Sequence, residues 1–127
     1  MSDETGLKPT NPSERPTKTT ETKEKFVTGA HRSSAEGRGR PQDISPLAML
    51  RLSMLLERGA KIHGTRNYQK GMSMDRTFGS LKRHIYQYMH GDDSEDHLAA
   101  ILFNAMVLVD TDERVRLGLV PVELKDI

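Results

Sequence analysis

The sequence predicts an all-α protein, a small bundle of three to four helices behind a long N-terminal arm. Three observations carry that expectation. Apolar residues recur at helical spacing in three stretches between Pro46 and Val109. Serine stands at the head of two of them, as Ser45-Pro46 and as Ser94-Glu95-Asp96. Residues 1–25 hold only two hydrophobic side chains, Met1 and Leu7, and cannot bury enough surface to offset their chain entropy.

Residues 1–25 therefore read as a disordered tail and 26–127 as a single helical domain. The 26–43 stretch is a loop rich in Gly and Arg. Ser45 as N-cap and Pro46 at the first helical position start a helix that runs to about Ile62. Leu47, Leu50, Met54 and Leu55 form its expected buried stripe. Met49, Leu52 and Leu56 make the other side apolar too, so cover on more than one face is expected. Residues 64–73 read as a loop. A second helix spans Met74 to Met89, with Phe78, Leu81, Ile85 and Tyr88 as its stripe. After a turn at His90–Asp93, Ser94 is expected to cap a third helix reaching Val109, with Glu95 and Asp96 at its positive end. That helix is apolar on nearly every side, which places it at the centre or at a subunit interface, and a homo-oligomer is expected. Thr111–Arg116 reads as a short fourth turn.

Composition narrows the function classes. The 127 residues carry net charge +1, and residues 44–127 hold eleven basic and eleven acidic side chains. No bulk basic field points to duplex DNA. There is no apolar run near 18 residues, hence no expected membrane span, and no apolar N-terminal segment of the secretory kind. Cysteine is absent, so thiolate metal sites and disulfides are excluded. A cytoplasmic setting is the default.

Polar residues between Glu57 and Asn104 are the candidates for a site. Asn104 lies seven residues after His97, so the two share a helical face; Asn104 either contacts a ligand or fixes helix register. Glu95 and Asp96 offer hard oxygens suited to Mg²⁺ or Mn²⁺, or serve only the helix dipole. His97 can meet a metal or a phosphate, with His84 on the preceding helix able to face it. Arg83 is a phosphate clamp or a solvated residue. Glu57 and Lys61 have the spacing of a surface ion pair. Asn67 and Lys70 lie in a Gly-bounded loop. Gly29–Arg32 and Gly37–Arg40 allow backbone amides and Arg32, Arg38 and Arg40 to approach an anion, or form a basic linker. No nucleophile elbow is present.

In order along the chain, Thr28–Arg32, Gly37–Arg40, Gly59–Gly64, Asn67–Gly71, Arg83-His84, Glu95–Leu98 and Asn104 resemble the phage dATP/dGTP diphosphohydrolase N-terminal domain family over residues 26–124. His63 and Tyr68 stand where that pattern has Tyr and Trp; both keep a flat ring able to stack on a base. The resemblance implies a helical nucleotide-binding fold in an infected bacterial cell and hydrolysis of a purine deoxynucleoside triphosphate to monophosphate and pyrophosphate. It implies Mg²⁺ or Mn²⁺ on Glu57, Glu95 and Asp96, and His84, His97 and Asp96 in catalysis. Arg32, Arg38, Arg40, Lys61, Lys70 and Arg83 would neutralise phosphate, and Asn67, Tyr68 and Asn104 would position sugar or base. Two other readings stand beside it: a non-catalytic sponge for a host immune signalling nucleotide, which the single carboxylate of the first helix (Glu57) favours, and a structural adaptor.

Overall fold

A computed structural model describes residues 23–127; the expected tail, apart from Lys23–Lys25, lies outside them. Chain contacts divide these residues at Ser45 into two compact units. The first holds a hairpin of two short strands, β1 (Lys23–Lys25) and β2 (His31–Ser33), antiparallel with Glu24 opposite Arg32. Its turn closes through Phe26 N–H donating to the Ala30 carbonyl and Gly29 N–H to that of Phe26, with Gly29 at φ +90° where glycine is favoured. A single 3-10 turn follows at Pro41–Asp43. The sequence expectation for 26–43 was a loop; three-residue strands carry too little periodicity to be seen.

The second unit consists of α1 (Pro46–His63), α2 (Met74–Met89) and α3 (His97–Arg116), with 3-10 turns at Asn67–Lys70 and Val122–Leu124. The all-α expectation holds. The Ser45 side chain accepts a hydrogen bond from Ala48 N, and Pro46 opens α1. Ser73 caps α2 through Arg76 N. α2 matches its expected span.

α3 begins later and ends later than expected. Asp96, not Ser94, is its N-cap, accepting from Ala99 N, while Ser94 is held in the preceding turn by Asp92. The segment 111–116 is the last part of the same helix rather than a separate turn. α3 is central: it packs along α2, against α1, and against both 3-10 turns.

Burial on α1 differs from the expected stripe. Leu52 is buried and Leu55, Leu56, Gly59 and Ala60 are half-buried, whereas Leu47, Leu50 and Met54 are exposed. Both faces of α1 are apolar, so hydrophobicity alone does not choose between them; α3 is met by the face whose later turns carry Gly59 and Ala60. On α2 the inner face is Met74, Thr77, Phe78, Leu81 and Ile85, and Tyr88 is exposed. On α3, Ala99, Ala100 and Val107 are buried together with three polar residues, His97, Asn104 and Thr111. The residues after α3 fold back on the unit. The Asp126 carboxylate accepts from Ser73 Oγ at 2.5 Å and from Asp75 N at 2.9 Å, at the start of α2.

Candidate functional site

The second half of α1, the 64–72 loop, one face of α2 and the start of α3 enclose a cleft of about 560 Å³. That is within the range of roughly 300–1,000 Å³ seen for small-molecule sites. Leu55, Leu56 and Phe103 supply apolar wall, Arg58 and Arg66 positive charge, and Asn67, Tyr68 and Asn104 hydrogen-bonding groups. Tyr68 meets Phe103 edge to face, ring centres 6.1 Å apart. Arg66 is the one non-glycine residue at positive φ (+58°) among those described. Such a conformation is uncommon and costs energy, and it clusters at ligand sites. Asn104 is buried, and its Nδ2 donates to the Ala100 carbonyl at 2.8 Å, leaving the side-chain oxygen as the group able to accept from a ligand.

His84 lines this cleft, and behind it stands His97, 2 % exposed. The two Nδ1 atoms are 2.9 Å apart, with the rings tilted at 47°. His97 Nε2 lies 2.6 Å from Asp92 Oδ2. An ionised carboxylate only accepts, so His97 Nε2 carries a proton, and in the neutral ring Nδ1 presents a lone pair. The bond from His97, reinforced by Ser94, holds the Asp92 carboxyl below the usual value. The two Nδ1 atoms share either one proton, carried by one of the two rings, or a cation. Glu95 completes the group, its Oε1 3.6 Å from His84 Nδ1. Among the described residues, His84, Glu95 and His97 are the one cluster able to offer three metal-ligand atoms, all within 4.8 Å of one another.

Asp96 is occupied differently. Its carboxylate accepts from Arg51 Nε at 2.9 Å and Nη2 at 2.5 Å, and from Ala99 N at 3.1 Å. The paired Arg51 guanidinium is the main reason its carboxyl is lowered to about 2. Arg51, Asp92, His97 and Leu98 border a second hollow of about 460 Å³; Glu95 and Asp96 border both.

The structure thus brings together Asn67, Tyr68, His84, Glu95, Asp96 and Asn104 around one cleft, with His97 joined through His84. Glu57, Lys61, Lys70 and Arg83 are exposed and border neither hollow. The carboxylates expected to share a metal are accordingly spread: Glu57 is outside, Asp96 is taken by Arg51, and Glu95 stands with the histidines. Arg32, Arg38 and Arg40 belong to the other unit, where Arg40 pairs with Asp43 at 2.5 Å. Sequence reasoning missed Arg51, Arg58, Arg66 and Asp92. Arg58 adjoins the Gly59-Ala60 pair already singled out, a usable signal; Asp92, in a turn five residues before His97, gave none.

No curated protein and no solved structure matches the chain. A family model described as dATP/dGTP diphosphohydrolase, N-terminal, matches residues 28–118, a span that includes all three helices and every residue of the cleft. The chain belongs to the dATP/dGTP diphosphohydrolase N-terminal family.

Proposed function

We propose that the cleft binds a purine deoxynucleoside triphosphate and hydrolyses it to the monophosphate and pyrophosphate, in the cytoplasm of a phage-infected bacterium. The observation that carries this reading is the convergence on one cleft of an aromatic pair, two arginines, and His84 and Glu95, which His97 backs from behind. Tyr68 and Phe103 offer a surface for a base, and the Asn104 oxygen an acceptor for an amino or hydroxyl group. Arg58 and Arg66 neutralise phosphate oxygens, for which the planar guanidinium is suited. A divalent ion of the expected kind, Mg²⁺ or Mn²⁺, supplies charge neutralisation and a more acidic water when bound. Water attacks the α-phosphorus, the bond to the bridging oxygen breaks, and pyrophosphate leaves.

The test is product analysis. Purified protein with dATP or dGTP and a divalent ion is expected to release pyrophosphate in equimolar amount with the monophosphate. Arg58→Ala and Arg66→Ala are expected to raise KM more than they lower kcat. Recovery of intact triphosphate from the denatured complex, whatever the ion, would overturn hydrolysis in favour of the second reading, a nucleotide sponge. One observation favours that alternative: of the two carboxylates lining the cleft, Asp96 is committed to Arg51.

Self-association belongs to the same reading, with a second copy of the chain as partner. Leu47, Leu50 and Met54 form an exposed apolar stripe on α1. The one charged residue among 46–56, Arg51, is already paired with Asp96, so the stripe offers no charge to a charged partner. The unit it belongs to buries only five hydrophobic side chains among the described residues, a small core that a shared surface would enlarge.

A further inference from the structure

We infer that His84, His97 and Glu95 form a binding site for one divalent first-row transition metal ion, held by the two Nδ1 atoms and the Glu95 carboxylate. This deepens the hydrolase reading and rests on it for the ion's task, but not for its binding.

Four features point the same way. The first is convergence: three ligand atoms from the α2 side chain, the α3 side chain and the turn between those helices lie within 4.8 Å of one another. The second is the tautomer. Asp92 accepts a hydrogen bond from Nε2–H of buried His97 at 2.6 Å, which fixes the ring with Nδ1, the lone-pair nitrogen of the neutral form, toward His84. Carboxylate support of this kind, on the nitrogen away from the ion, is the usual companion of metal-binding histidine. The third is spacing. Two bonds of about 2.05 Å to nitrogens 2.9 Å apart subtend roughly 90°, the angle between adjacent positions of an octahedron. The fourth is the donor set. Two imidazoles and one carboxylate suit Mn²⁺, Fe²⁺, Co²⁺ or Zn²⁺ and leave positions open, whereas Mg²⁺ prefers oxygen alone. His84 and Glu95 both line the cleft, so the open positions are within reach of water and phosphate oxygens there. In the free protein one proton bridges the two Nδ1 atoms, and ion binding has to release it.

The experiment uses Co²⁺ alone, with no nucleotide, followed by visible absorption and equilibrium dialysis of the full chain. One equivalent is expected to bind, with ligand-field bands absent from free Co²⁺. Glu95→Gln, on an exposed side chain that folding does not need, is expected to weaken binding at least tenfold. Asp92→Asn, which touches no ion, is expected to weaken it 10- to 100-fold. Far-ultraviolet dichroism and a melting curve verify that each variant is folded, and His84→Gln gives a second ligand test should Asp92→Asn fail to fold. Absence of binding, binding unchanged in Glu95→Gln and His84→Gln, or displacement of Co²⁺ by an equal concentration of Mg²⁺ would overturn the site. Metal binding without release of pyrophosphate would overturn the hydrolase reading and leave the site standing. Release of pyrophosphate by a protein that binds no Co²⁺ would do the reverse.

Discussion

Arg51 on α1 and Asp96 at the head of α3 meet through two parallel hydrogen bonds of 2.9 and 2.5 Å, tying together two helices through residues 45 positions apart. Asp96 at the same time caps α3 through Ala99 N. The two tasks can be separated by substitution. Asp96→Ala loses both and is expected to cost about 1–2 kcal/mol, the range for a lost N-cap with its charge partner. Asp96→Asn keeps the cap and is expected to retain most of the stability. A double-mutant cycle of Arg51→Ala with Asp96→Asn, read by urea denaturation, isolates the pair; additive losses would show that it contributes nothing.

Gly71 closes the loop that carries Asn67 and Tyr68, with φ at +102°. A Cβ there would lie 2.6 Å from Leu124 Cδ1 and 3.4 Å from Val120 Cγ1. Leu124 can swing aside, so backbone strain is the larger cost. Gly71→Ala is expected to destabilise by about 1–2 kcal/mol, and adding Leu124→Ala is expected not to restore the loss. Recovery in the double variant would show that the clash dominates.

The Asp126 carboxyl lies below its ordinary value because Ser73 Oγ and the Asp75 amide donate to it. A group whose value falls on folding adds stability above its unfolded value and loses it as pH drops through the folded one. Wild type is therefore expected to melt above Asp126→Ala at pH 7. The gap should hold down to about the ordinary aspartate value of 3.8 and narrow below it. A gap that widened on acidification would contradict the assignment.

Thr111 is 1 % exposed, and its hydroxyl has no hydrogen-bond partner. A buried hydroxyl without a partner costs about 1–3 kcal/mol, and valine has nearly the same shape. Thr111→Val is expected to raise stability by about 1 kcal/mol, seen as a higher denaturation midpoint at unchanged slope.

Self-association through the α1 stripe predicts a mass above that of one chain in light scattering. Leu50→Glu, 61 % exposed and outside the core, is expected to return the monomer without lowering the helical signal. A wild-type monomer at all concentrations would remove the stripe as an interface.

The helices were legible in the sequence because their signals are local. Ser45-Pro46 fixes the start of α1, and the apolar period fixes α2. What failed was tertiary. α1 is apolar on two sides, and only packing against α3 decides that Leu52 goes in and Leu50 stays out. Ser94 was the expected cap, but Asp92 binds it into the turn, and Asp96, two residues on, caps α3 instead. At the cleft, the ring nitrogens and amides were visible as unusual polar residues on apolar helices. Their supports were not: Asp92 sits in a turn, where no periodicity marks it, and Arg51 acts across the fold on a partner 45 residues away, which leaves no periodic trace.

Glu95 and Asp96 are consecutive, yet one belongs with the histidines and the other with α1. A single peptide unit therefore links the anchorage of α1 to the placement of a prospective ligand. Crowding or loosening on the Arg51 side is therefore expected to change the aim of the Glu95 carboxylate in the neighbouring chamber.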